Sequence, residues 1–210
     1  AWDCGCGSGQ LSTLLAAEFD CVVATDASAE QIESATAAAG VEYRCTPAEA
    51  SGLPDGAADL IAVAQAAHWL DLPKFYDEAR RVGRPGAAIA LVTYGIMEID
   101  AAIDAVTMPF YRDVLKGFWP PERAHVEDGY RSLPFPFAEV VPPALEIRAE
   151  WRLKDLTGYI ETWSAVRALR KAKGNGPVAQ HFADLAAVWG LPETRRAVRW
   201  PLAIRAGRMV

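Results

Sequence analysis

Three glycines at alternate positions, Gly5, Gly7 and Gly9, leave a bare stretch of main chain that a ligand could approach more closely than a Cβ would permit. They sit in Asp3-Cys4-Gly5-Cys6-Gly7-Ser8-Gly9-Gln10, and Leu11, Leu14 and Leu15 follow at helical spacing, with Ser12 and Thr13 as possible first-turn donors. The unit reads as strand, glycine loop, helix. A dinucleotide-binding loop has the pattern GxGxxG/A, whose small third residue lets the helix pack closely and whose diphosphate rests on the helix N-terminus. Here that third place holds Gln10, and the GxGxG spacing, with the acidic Asp3 just ahead of it, suits a cationic ligand without phosphates.

A second acid stands where such a ligand would need one. The apolar run Cys21 to Thr25 ends at Asp26, about 20 residues beyond the first glycine, where folds of this type place a carboxylate for ribose hydroxyls. Asp26 could instead cap a helix, although Ser28 is the better candidate. His68 follows a further apolar run, at what would be the same sheet edge. It could orient an acceptor, take a proton from a hydroxyl or amine, or only hydrogen-bond its own loop. Trp69 could wall a ligand or simply pack. Trp119, Tyr130 and Trp163 are further aromatic candidates, and Arg123, Arg131 and Arg167 are the cations that could meet an anionic acceptor.

A parallel sheet is needed to gather these side chains. Val41 to Cys45 reads as its third strand, Asp59 to Gln65 as the fourth and Ala87 to Thr93 as the fifth. Ser28 opens a helix predicted over 29–39 and stopped by Gly40; a second helix runs from Leu72 to Val82 and is stopped by Gly83 and Pro85. Further on, 96–115 looks helical with a break at Pro109, and 119–137 is too proline-rich for an internal helix, so it reads as a substrate cover. Val140-Val141 is expected to pair with Ala144 to Leu153 and then with Ala197 to Ala206 as an antiparallel edge. Asp155 to Lys173 reads as one intervening helix, ended by Gly174-Asn175-Gly176-Pro177.

With 210 residues and 51% hydrophobic content, the chain suffices for one α/β domain with a substantial core. Its net charge of -6 argues against a nucleic-acid partner, since phosphate-binding domains carry a basic face. It has neither an apolar run long enough to span a membrane nor a signal-peptide pattern, so no membrane partner and a cytoplasmic location are expected. Cys4, Cys6, Cys21 and Cys45 have no histidine at metal-ligand spacing; no metal is expected, and the cysteines should pack as small buried residues. Only Ala1 and Trp2 precede Asp3, short of the usual strand length, and the first residue is not Met. The natural start is therefore expected upstream.

On these residues the chain resembles the class I S-adenosylmethionine-dependent methyltransferases. Asp3-Cys4-Gly5-Cys6-Gly7-Ser8-Gly9 is similar to their first motif, Asp26 to the acid ending their second strand, and Asp59-Leu60-Ile61-Ala62-Val63-Ala64-Gln65 to their fourth strand. Pro47-Ala48-Glu49 sits where such enzymes bind adenine. Gln65-Ala66-Ala67-His68-Trp69-Leu70-Asp71, Phe75-Tyr76, Arg80 to Gly86 and Phe118 to Arg123 resemble the branch containing trans-aconitate methyltransferase-like proteins. The resemblance implies a Rossmann-like α/β fold, a doubly wound and mostly parallel sheet with an antiparallel edge strand. It implies one domain, with a cofactor-binding half over 1–95, a substrate-cover insertion over 96–137 and C-terminal strands and a helix over 138–210. It also implies S-adenosylmethionine as cofactor, held by Asp3, Gly5, Gly7, Gly9, Asp26, Ala27, Ala48, Glu49, Gln65, Ala66 and Trp69. His68, Trp69, Trp119, Arg123, Tyr130 and Trp163 are then the acceptor-side candidates, and an N-terminal helical segment would close over the cofactor.

The expected activity is methyl transfer to a small molecule, with O-methylation of a carboxylic acid favoured. A nicotinamide-dependent oxidoreductase shares the loop and acid but is opposed by Gln10, and a non-catalytic cofactor-binding protein is the third reading. Oligomeric state has no signature in the sequence.

Overall fold

A computed structural model describes residues 1–209. The chain forms two compact units: one comprises Ala1–Tyr94, Ala124–Ala144 and the stretch from Leu202 onward, the other Gly95–Arg123 and Leu145–Pro201.

The first unit is built on a mixed sheet. Strands β1 (Trp2–Cys4), β2 (Val22–Asp26), β3 (Val41–Cys45), β4 (Ala58–Ala64) and β5 (Gly83–Tyr94) are parallel, in the spatial order β3-β2-β1-β4-β5. The chain moves outward from β1 to β3, then returns to the other side of β1 with β4. This reversal opens a crevice at the carboxyl ends of β1 and β4, the place at which doubly wound sheets bind ligands. Beyond β5, residues 202–208 of β8 (Arg196–Arg208) run antiparallel to it, and β6 (Ala138–Val140) runs antiparallel to β8. Trp2, Val22, Ile61, Val63, Ile89 and Leu91 are fully buried, which is why the central strands read as continuous apolar runs. Helix α1 (Gln10–Leu15) follows the glycine loop, α2 (Ala29–Glu33) follows β2, and α3 (Leu72–Val82) begins behind an Asp71 cap with Pro73 in its first turn and packs on β5.

The second unit is mainly helical: α4 (Ala101–Pro109), α6 (Leu153–Thr162), α7 (Ser164–Lys173) and α8 (Gly176–Trp189), with β7 (Glu146–Trp151) antiparallel to residues 196–201 of β8. Helix α5 (Arg123–Glu127) begins at the end of the Gly95–Arg123 segment, and its remaining residues belong to the first unit.

Several elements differ from the sequence reading. Helix α2 ends at Glu33 rather than Ala39, because Thr36 is drawn to the glycine loop: its N–H donates to Ser8 O at 3.3 Å and its carbonyl accepts from Tyr43 Oη at 2.9 Å. Alanine propensity is too weak to resist such contacts. Val140 and the 146–151 strand do not pair with one another; each pairs with a different half of β8, a 13-residue strand long enough to serve both. The expected helix over 155–173 is two helices, parted at Trp163, whose backbone is extended at φ -64°, ψ 131°. Gly176-Pro177 opens α8 as well as following α7, since proline is well suited to a first helical turn. The helix expected over 96–115 starts at an Asp100 cap, and Pro109 leads into a single π-helical turn over Phe110–Val114. The proline-rich 119–137 segment contains the short α5. Cys4 and Cys6 are buried as expected, but Cys21 and Cys45 are exposed.

Candidate functional site

The loops at the carboxyl ends of β1 to β4 line one cleft of about 470 Å³, bounded by Gly5, Thr25, Asp26, Ala27, Ser28, Thr46, Pro47, Ala48, Glu49, Ala66, Trp69 and Leu70. Two of these residues are acidic and none is basic. Seven of the predicted cofactor residues line the cleft: Gly5, Asp26, Ala27, Ala48, Glu49, Ala66 and Trp69.

The glycine loop is held from both ends. Gly5 N and Cys6 N donate to Thr25 O at 2.8 and 3.0 Å, and Gly7 N donates to Asp26 Oδ2 at 2.9 Å. Gly5, Gly7 and Gly9 all take positive φ, at 70°, 56° and 90°. Two of them are also glycine for packing: a Cβ on Gly5 would stand 2.4 Å from Ala66 Cβ, and one on Gly9 2.2 Å from Tyr43 Oη. Gly7 alone faces room, its nearest neighbour being Gln31 Oε1 at 3.6 Å. The close approach of Gly5 to Ala66 joins the loops after β1 and β4.

Asp3 lies beneath this loop, almost wholly buried. Ser12 Oγ donates to its Oδ2 at 2.6 Å, while Oδ1 is buried without a hydrogen-bond partner. Burial is the main reason the carboxyl is pushed up to about 6, with Asp26 adding repulsion and Ser12 opposing the rise. A buried carboxylate oxygen below a glycine loop has the chemistry to accept from a cationic hydrogen-bond donor. The Cys6 thiol in the same loop is pushed up to about 12, chiefly by burial, and is not poised as a nucleophile.

Asp26 also accepts from Ser28 N through Oδ1 at 2.9 Å, so it organises two loops from a position that lines the cleft. Ser28, as the sequence suggested, caps α2, accepting from Gln31 N at 3.3 Å. Thr46 N donates to Asp26 O at 3.0 Å, and Glu49 Oε1 accepts from Asp71 N at 3.0 Å, tying the loop after β3 to the caps on either side of it.

The end of β4 is strained. Gln65 takes φ 56°, outside the usual range for a side-chain-bearing residue. Its side chain turns toward β5 rather than the cleft: Oε1 accepts from Thr93 Oγ1 at 2.6 Å and Nε2 donates to Tyr94 O at 2.9 Å. Gln65 is thus a brace for the turn carrying Ala66, His68 and Trp69. His68 is half-buried with Nδ1 2.7 Å from Tyr130 Oη, and Trp69 is 60% exposed, so it is a wall and not a core residue.

Trp119, Arg123 and Trp163 belong to the second unit, where they form one cluster with Tyr111. The Trp119 and Trp163 rings are 5.8 Å apart, and the Arg123 guanidinium lies 5.0 Å over Trp119 while its Nε donates to Tyr111 Oη at 2.9 Å. Arg131 is exposed and donates to Asp128 O at 2.7 Å, and Arg167 is exposed. The cofactor cleft is lined by none of the three arginines.

Glu78 is the functional neighbour that the sequence concealed. Its Oε1 accepts from Ser51 N at 2.8 Å, Ser51 Oγ at 2.6 Å and Arg81 Nη2 at 2.7 Å, so α3 holds the loop carrying Ala48 and Glu49. The Arg81 guanidinium, followed by Ser51, holds this carboxyl down at about 2. In the sequence, Glu78 three residues before Arg81 looks like any surface ion pair. Among the described residues no cluster of His, Cys, Asp and Glu could hold a metal, and no helix is long and apolar enough to cross a membrane.

A doubly wound sheet with a glycine loop after β1, an acid ending β2 and a cleft at the switch point defines an α/β protein that binds a nucleoside-containing cofactor. Residues 2–91 match the family model of the methyltransferase domain. A methyltransferase-family protein of Dictyostelium discoideum is 37% identical over 181 residues, covering 85% of this chain and 68% of that protein. The solved structure of a type II methyltransferase-family protein from Anaeromyxobacter dehalogenans is similar at 49% identity and a TM-score of 0.95, covering 100% of this chain and 89% of that one. The chain belongs to the class I S-adenosylmethionine-dependent methyltransferases. A methyltransferase-family structure from Anabaena variabilis, at 20% identity, TM-score 0.55 and coverage of 95% and 89%, shares the fold.

Proposed function

We propose that this protein transfers a methyl group from S-adenosylmethionine to a carboxylate oxygen of a small, partly apolar acid, as in the trans-aconitate methyltransferase-like branch. The observation that carries the cofactor half is the charge of the cleft: Asp26 and Glu49 line it, Asp3 has an unpartnered oxygen beneath the loop, and no lining residue is basic. That set suits a cation with an amino group and ribose hydroxyls, and disfavours the diphosphate of a nicotinamide dinucleotide. Asp26 would take the ribose, the loop around Ala48 the adenine, and Asp3 the amino group, with Ala66 to Trp69 at the methyl end.

When bound, the cofactor supplies an activated methyl on a sulfonium, so that forming the oxygen–carbon bond breaks the carbon–sulfur bond and leaves a neutral thioether. The protein's work is to align and to exclude water. A carboxylate is already ionised at neutral pH and needs donors to orient it, not a base. Engagement of His68 Nδ1 by Tyr130 supports an orienting histidine. The acceptor reading is tested by incubating the protein with S-adenosylmethionine and a panel of carboxylic acids, phenols and amines, scoring methylated products by mass spectrometry. Methyl ester formation, nearly flat from about pH 6 to 9, is expected. His68→Gln, which keeps a donor but is not a base, should lower the rate no more than roughly ten-fold, whereas a loss of about a thousand-fold would replace the carboxylate by a hydroxyl or amine acceptor.

A further inference from the structure

The first unit holds a second cavity, of about 300 Å³, where β5 begins and β8 ends. It therefore lies at the amino end of β5, whereas the cofactor cleft lies at the carboxyl ends of β1 to β4. Three arginines line it, Arg80, Arg84 and Arg208, above an apolar floor that includes Pro136, Phe137 and Met209. Among the described residues no lining side chain is acidic.

Surface arginines are commonly just solvated, and what sets these three apart is how they are held. Each guanidinium is tied to a backbone carbonyl of a different segment: Arg80 Nη2 donates to Pro136 O at 3.4 Å, Arg84 Nε to Gly56 O at 3.2 Å and Arg208 Nη1 to Gly86 O at 3.0 Å. A carbonyl fixes the direction of a guanidinium and leaves its charge in place. Arg80 also pairs with Asp77 at 3.3 Å and Arg84 with Asp59 at 2.7 Å, but both acids are exposed and neither lines the cavity. Exposed pairs of this kind hold their charges weakly. The floor is built just as specifically. The Arg80 guanidinium lies 5.1 Å over the Phe137 ring, which meets Tyr76 edge-on at 5.2 Å. Met209 is buried against Gly83, where a Cβ would stand 2.1 Å from its Sδ.

A basic rim over an apolar floor has a defined complement. Guanidinium N–H groups beyond those spent on carbonyls can grip an oxyanion, and the ring and thioether below offer contact to a carbon skeleton. In a chain of net charge -6, such a site must work through local contacts, because the field of the whole protein repels anions. We propose that this cavity is a second ligand site, taking a small organic anion whose phosphate or carboxylate head sits among Arg80, Arg84 and Arg208 and whose apolar body lies on Phe137 and Met209. It is separate from the cofactor cleft and does not depend on which acceptor is methylated.

NMR titration of ¹⁵N-labelled protein tests this with phenyl phosphate, benzoate, inorganic phosphate and benzyl alcohol, each to about 10 mM at low salt, enough to reveal a millimolar Kd. Phenyl phosphate should bind saturably, shift the amides of Gly83, Gly86 and Phe137, and bind about ten-fold tighter than inorganic phosphate or benzyl alcohol, which each lack one half of the match. Benzoate separates the sources of the charge: binding comparable to phenyl phosphate assigns the site to oxyanions in general, and much weaker binding assigns it to phosphate esters. Arg80→Gln and Arg208→Gln should each weaken phenyl phosphate about ten-fold, and Phe137→Leu should erase its advantage over inorganic phosphate. Affinity for S-adenosylhomocysteine, unchanged in these variants, reports that they fold. Absence of saturable binding to the unmodified protein overturns the proposal without any variant. So does displacement of phenyl phosphate by S-adenosylhomocysteine, which would place it in the cofactor cleft, or undiminished binding when Arg80→Gln and Arg208→Gln are combined.

Discussion

Asp26 accepts from Gly7 N at 2.9 Å, so the carboxylate at the end of β2 holds the glycine loop after β1 while lining the cleft. Loss of this side chain should therefore weaken the cofactor in two ways, by removing a ribose partner and by loosening the loop. Calorimetry on Asp26→Ala should show S-adenosylhomocysteine bound roughly ten- to a hundred-fold more weakly, as expected for about 1.5–3 kcal/mol of charge-assisted hydrogen bonding. Asp26→Asn, which keeps one acceptor, should fall between. Affinity equal to that of the parent would remove Asp26 from the site.

The three loop glycines should separate by phenotype. Gly5→Ala forces a Cβ to 2.4 Å from Ala66 at positive φ, so it combines backbone strain with overpacking and should cost about 2–4 kcal/mol of stability. Gly7→Ala meets nothing closer than 3.6 Å and should cost only about 1 kcal/mol while reducing cofactor affinity. Urea unfolding paired with ligand titration distinguishes them; equal stability losses would contradict the packing argument.

Asp3 makes the unliganded protein pH-sensitive. Its carboxyl is raised to about 6 from an unfolded value of 3.8, chiefly by burial, so its contribution is fully present below the unfolded value and is lost as pH rises through about 6. Asp3→Asn can still accept from Ser12 and lacks this titration. Its stability relative to the parent should climb from near zero at pH 4 to about 2–3 kcal/mol at pH 7. A cationic ligand stabilises the ionised form, so cofactor binding near pH 6 should release a proton, seen as a binding enthalpy that depends on the buffer.

Glu78 should prove an affinity residue remote from the ligand. Glu78→Gln keeps acceptors for Ser51 but loses the charge-assisted pair with Arg81, costing about 1–3 kcal/mol. Because Ser51 anchors the loop carrying Ala48, adenosine affinity should fall with it. The Glu78 carboxyl is held down at about 2, so its stabilisation is present above the ordinary glutamate value and is lost as the pH falls toward 2. A variant with unaltered adenosine affinity would show that the loop stands without it.

Much of the cofactor half was legible because its signals are local. Short apolar strands, Ser28, Gly83 and the glycine loop each act within a few residues, and β3 runs over Val41–Cys45 as read. The errors lie where distant contacts outweigh local preference. Thr36 left its helix for Ser8 and Tyr43, and β8 supplied partners to both β6 and β7, which the sequence paired with each other. Gln65 shows the same limit at the site: its place at the end of β4 was legible, but its rotation toward Thr93 and Tyr94 depends on β5 lying alongside.

By itself, the sequence determined the doubly wound order of elements, the glycine loop and the acids at Asp3 and Asp26, because spacing and side-chain chemistry are properties of the chain. Tertiary structure alone decided which groups hold those residues in place. Ser12 on Asp3, Glu78 on Ser51 and Tyr130 on His68 join positions 9, 27 and 62 residues apart. A hydrogen bond requires its partners within about 3 Å, and only the packed sheet brings such distant positions that close.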